Sequence, residues 1–212
     1  MSEEPPIAKS GSLPFPGPIL SEGRDIFTNK LARFQLVLSP EAWFHTANEL
    51  IAAMKLLEPH IKRYWECLNA QFLGQSRDVE PEHSLQNVHM MLAGFAIENL
   101  CKGHLVGRLS LKQQQDVKGG TLPKKLITHD ILKLVRQTGM TLSETEKYLV
   151  EAIRETIRWR GRYPSPTSHE GIHPFAQMGS YIRRINMLLL KLRRHVGAKH
   201  SYRIPPAGEG RS

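Results

Sequence analysis

Acidic residues are missing from the last part of this sequence: none lies between Pro174 and Gly208. Residues 174–212 hold eight lysines and arginines against the single Glu209, a local charge of +7. Residues 110–142 add +4 and the remainder nets −2, so the overall +9 forms a basic pole. A pole of this kind favours an anionic partner: nucleic acid first, then an acidic protein or a membrane surface. The alternative is a solvated helix face, and composition alone does not separate the two.

Cysteine is scarce as well. Cys67 and Cys101 match no metal-ligand spacing, so no metal site is expected, and the pair reads as reduced thiols in a cytoplasmic protein. No run of about 18 apolar residues exists, so no membrane insertion is expected. The stretch from Met1 to Pro6 lacks the basic and apolar regions of a secretory leader, and none is expected. Strand-like alternation and repeats of roughly 20–50 residues are absent. There is no Gly-rich phosphate loop before a helix and no G-x-S-x-G, so no cofactor is expected.

What is present is helical periodicity. Residues 1–38 read as a Pro/Gly/Ser-rich N-terminal arm, marked by Pro14-Phe15-Pro16-Gly17-Pro18. Ser39-Pro40 then reads as an N-cap and first helical residue. The apolar stripe Trp43, Ala47, Leu50, Met54, Leu57, Ile61, Tyr64, Leu68 predicts a helix over 39–70, kinked or split at Pro59. A broad apolar surface predicts a central helix over 84–109, with Glu98 and Lys102 as an i,i+4 pair on an exposed face.

Gln113 to Lys125 reads as a polar linker, and Thr128 as the N-cap of a helix over 128–138 that stops at Gly139. Ser143-Glu144-Thr145-Glu146 has the form of a capping box opening a helix over 143–160. The last helix, 175–197, carries Phe175, Met178, Ile182, Ile185, Leu189, Leu192 and Val196 as one seam. That seam suits packing within the chain or against a twin subunit, and predicts a homodimer. Residues 198–212 read as a basic tail. The fold class is all-α, a four- to five-helix antiparallel bundle over 39–197.

Two motifs bear on chemistry. His169-Glu170-Gly171-Ile172-His173 spells the zinc-protease pattern, but Gly171 and Pro174 oppose the helix that pattern requires. The downstream acidic ligand is also missing. The cluster Arg158-Trp159-Arg160-Gly161-Arg162-Tyr163 supplies guanidinium forks and stacking planes of the kind RNA recognition uses. It also reads as an ordinary basic helix end. Arg162 and His169, with six residues between them, could hold a phosphate and move a proton in metal-independent RNA cleavage.

Three stretches are similar to the HEPN superfamily of helical domains: Gly94 to Gly103 with its embedded Glu98 and Lys102, Thr128 to Leu134 with its His-Asp start, and Arg160 to Pro164 before the last helix. The resemblance implies a helical bundle dimerising through its last helices, often in toxin–antitoxin or phage-defence systems. Active members are ribonucleases with an Arg–x(4–6)–His motif, and Arg162 and His169 fall at those positions. The departures are Tyr163 directly after the arginine and the two prolines before the histidine. The resemblance therefore implies a dimerising module that binds RNA or an acidic partner protein. The other implied function is a metal-independent endoribonuclease using Arg162 and His169. Arg158, Arg160, Tyr163, Arg183, Arg184 and Arg194 are the expected phosphate-binding residues.

Overall fold

The computed structural model describes residues 36–75, 84–160 and 180–197. These form seven α-helices: α1 (Pro40–Phe72), α2 (Gln86–Val106), α3 (Leu111–Lys118), α4 (Lys124–Ile127), α5 (Ile131–Gln137), α6 (Glu144–Glu155) and α7 (Tyr181–Gly197). A 3-10 turn at Leu36–Leu38 precedes α1, and a π-helical turn at Thr156–Arg160 extends α6. The described residues contain no strand, and none of their helices is long and apolar enough to cross a membrane. The all-α class expected from periodicity is the class observed.

The long α1 begins as its sequence predicts. Ser39 Oγ accepts from the Ala42 amide at 3.2 Å, and Pro40 takes the first turn, where its missing N–H costs nothing. Of the two outcomes expected at Pro59, a kink or a split, the split does not occur: the helix runs on through it. Proline removes one backbone hydrogen bond, but Met54 and Ile61 on either side are both fully buried. Tertiary packing of the flanking turns overrides the local preference.

Helix α2 is the hub. It packs against α1, α5, α6, the π-turn and α7, and is buried on nearly every side. Two glycines of the Gly94–Gly103 stretch make these approaches possible. A Cβ at Gly94 would overlap the Ile157 side chain and lie 2.9 Å from Ile153 Cγ2. One at Gly103 would lie 2.7 Å from Phe44 Cε1. The expected linker at 113–125 is largely helical instead. Ser110 and Gln113 form a reciprocal capping box that opens α3, and α4 follows after a short turn. The Ser-x-x-Gln spacing was the available signal.

Asp130, not Thr128, caps α5: its Oδ1 accepts from the Lys133 amide at 3.1 Å. Thr128 Oγ1 instead accepts from the Asp130 amide at 3.1 Å and so positions the cap. Gly139, at φ +79°, ends the segment as its sequence position suggested. The Ser143–Glu146 capping box of α6 forms as expected.

The seam of α7 is internal core. Ile185, Leu189, Leu192 and Val196 are buried by this chain alone, while Phe175 and Met178 lie outside the described residues. The seam therefore gives no support to a homodimer through this helix, because Ile185, Leu189, Leu192 and Val196 are already covered.

Replacing Gly94 with alanine should cost about 1–3 kcal/mol of stability through overpacking against Ile157 and Ile153. Urea unfolding monitored by circular dichroism measures it. A loss below about 0.5 kcal/mol would show that the π-turn moves aside freely.

Candidate functional site

On α2, the side chains of Glu98 and Lys102 are 8% and 5% exposed, so the expected surface pair is a buried one. Lys102 Nζ donates to Glu98 Oε1 at 2.7 Å and sits 5.6 Å from the centre of the Trp43 ring of α1. The loop before α5 brings His129 to the same carboxylate, its Nδ1 lying 3.0 and 3.1 Å from the two oxygens. A carboxylate only accepts, so Nδ1 carries the proton there and Nε2 is left as the acceptor of the neutral ring.

The cluster extends to α6. Arg154 Nη2 lies 2.6 Å from Glu151 Oε2 on its own helix, and Nη1 lies 3.9 Å from Asp130 Oδ2 at the α5 cap. Two of the three stretches that carry the family resemblance thus converge on Glu98. Chemically, the arrangement pins an imidazole that is 73% exposed against a carboxylate neutralised from inside by an ammonium. Sequence reading missed the burial, although a signal existed: Ala96, Ile97, Leu100, Cys101 and Leu105 surround the pair and leave it no exposed face. The Cys101 thiol beside it is pushed far up in pKa by burial and by the Glu98 charge, so it stays protonated.

The expected phosphate-binding residues divide into groups. Arg158 is exposed on the π-turn, and Arg160 closes the same turn. Arg183 and Arg184 stand together, exposed, at the start of α7, where both border a hollow with Ser143, Thr145 and Ser180. Arg194 is exposed near the other end of α7, about 15 Å along the axis at 1.5 Å per residue. The structure therefore pairs Arg183 with Arg184 and sets Arg194 apart. Arg162, Tyr163 and His169 lie outside the described residues. Lys191, between the arginines of α7, is neutralised: it reaches Glu146 at 2.7 Å and the Thr141 carbonyl at 3.1 Å. Burial works against the charge of Glu146, but hydrogen bonds from Lys191 and Ser143 prevail and hold its carboxyl below the usual range.

His89 lies elsewhere on α2, fully buried, 3.8 Å from Glu58 of α1 and edge-on to Tyr181 of α7. Burial lowers its pKa below 6.5, against the opposing pull of Glu58. Burial likewise raises the pKa of Tyr181, with Glu58 adding to the effect.

No family model, no curated protein and no solved structure matches the chain.

Two outcomes follow from this geometry. Glu98→Gln leaves the Lys102 ammonium buried without its counter-charge and should cost about 3–5 kcal/mol in urea unfolding. The double variant Glu98→Leu/Lys102→Met removes both charges and should lose less than the single; a larger loss would show that the pair stabilises the bundle outright. For His89, the unfolded chain takes up the proton first as pH falls, because the folded pKa lies below the unfolded 6.5. Its contribution is whole above pH 6.5 and is lost as pH drops below that value. His89→Phe should flatten the acid limb of thermal stability below pH 6.5, and an unchanged limb would place the dependence elsewhere.

Proposed function

We propose that this chain is a HEPN-like helical module that binds RNA through the outward face of α7. The observation that carries this reading is the division of that helix into two faces. Its inward face is core, and its outward face carries Arg183, Arg184 and Arg194, none of which forms an ion pair with a described residue. Lys191, the cation on that face with an acidic neighbour, is already paired. Unneutralised guanidiniums on a helix without acids attract phosphates and fork onto their oxygens. The surrounding charge adds to the attraction, since residues 174–212 carry +7. The meeting of His129 with Glu98 and Lys102 supports the family side of the reading.

Fluorescence anisotropy with a labelled single-stranded RNA tests it. Binding should fall in the range of about 1–100 µM, and log affinity should drop with log salt by about 0.7 per phosphate neutralised. Arg183→Ala/Arg184→Ala should weaken binding across all sequences and reduce that slope by about 1–2. Affinity and slope unchanged in the double variant would overturn the proposal, and binding of an acidic protein with no binding of RNA would redirect it. Cleavage of the probe in the presence of chelator, abolished by Arg162→Ala or His169→Ala, would move the reading to a metal-independent endoribonuclease.

A further inference from the structure

Helices α1 and α7 both pack on α2 and leave a groove of about 980 Å3 between them. Trp65 of α1 and Ile182, Met187 and Leu190 of α7 give it apolar walls. Met187 and Leu190 are 60% and 47% exposed, so this side of α7 keeps apolar surface in water although its seam is filled. A groove of this size and lining, with a few fixed polar groups, has the dimensions of a small-molecule site.

The polar group that matters is Glu58. Its side chain is 27% exposed, lies 3.8 Å from buried His89, and accepts from Asn186 Nδ2 of α7 at 2.9 Å. Asparagine brings no charge, and burial favours the neutral form of His89. No lysine or arginine among the described residues pairs with Glu58. The groove thus holds a carboxylate that is oriented by an amide and pairs with no lysine or arginine among the described residues, while Trp65, two turns further along α1, lines the same groove.

Lys62 and Arg183 border the groove and would argue for an anionic guest instead. Lys62 is 77% exposed and already lies 3.7 Å from Glu66, and Arg183 is exposed to solvent. Charges so placed are screened by water and salt, whereas a charge set among apolar walls is screened less.

We propose that this groove binds an organic ammonium, an apolar aromatic or alkyl body lying against Trp65, Met187 and Leu190 with its cationic head on the Glu58 carboxylate.

Three probes of one shape test this on the full chain: 2-naphthylmethylammonium, 2-naphthylmethanol and 2-naphthoate. Each is titrated at about 0.15 M salt and followed by saturation-transfer NMR. The ammonium should bind at least about tenfold more tightly than the alcohol, the difference a charge-assisted hydrogen bond makes, and the naphthoate weakest of the three. Glu58→Gln should bring the ammonium down to the affinity of the alcohol. Met187→Lys, a change at an exposed position that leaves the core intact, should weaken the ammonium by a similar factor while circular dichroism stays unchanged. Equal affinity for all three probes, preference for the naphthoate, or no binding of the ammonium up to about 5 mM would overturn the proposal. So would ammonium affinity unchanged in either folded variant.

Discussion

A carboxylate and an ammonium enclosed in the central helix constrain everything packed around it. Glu98 and Lys102 lie on α2, a helix with almost no solvent face, and two ions in such a place persist only if each is satisfied. Lys102 is satisfied by Glu98 and the Trp43 face, so α1 must lie where Trp43 can reach it. Glu98 also takes the His129 ring, so the α5 cap must sit beside it. The glycines at 94 and 103 then let α6 and α1 close onto the same helix. One pair of charges thereby bears on the position of two neighbours, α1 through Trp43 and the α5 cap through His129.

Much of this was legible in residue spacing, and the failures share a cause. Ser39-Pro40, the Ser143–Glu146 capping box and Gly139 are local signals, complete within four residues, and the structure uses each as read. The i,i+4 spacing of Glu98 and Lys102 is equally local, but it is the same in water and in a core; only the apolar residues around it on every side mark the difference. Pro59 does not split its helix because its cost is local while the compensation from Met54 and Ile61 comes from across the bundle. The seam of α7 is a regular stripe whichever partner it meets, and here the partner is the chain itself. For the candidate site, Arg158, Arg183, Arg184 and Arg194 were placed on exposed faces, whereas the meeting of His129 with Glu98 was invisible because 31 residues separate them.

The cations and the apolar surface are allotted to different elements by the same packing. Where a basic residue finds an acid in reach, as Lys191 finds Glu146 and Arg154 finds Glu151, it serves the fold. Helix α7 carries no acid of its own, and Arg183, Arg184 and Arg194 stand exposed on the side that faces away from the core. The buried polar groups differ in kind: His89 is kept neutral by the cost of burying charge, while Lys102 is kept beside a carboxylate.

The position of α7 in the chain bears on how the molecule assembles. Helices α1 and α2 are neighbours in sequence and share the most extensive packing in the bundle, so their hairpin closes a short loop early and at small entropic cost. Among the described helices, α7 is the last in sequence, and it packs on that same hub. Its docking closes a long loop, and its contacts are rewarded only once the hub stands. Undocking it would expose Ile185, Leu189, Leu192 and Val196 in one event, so these four residues tie the arginine-bearing helix to the hub as a unit.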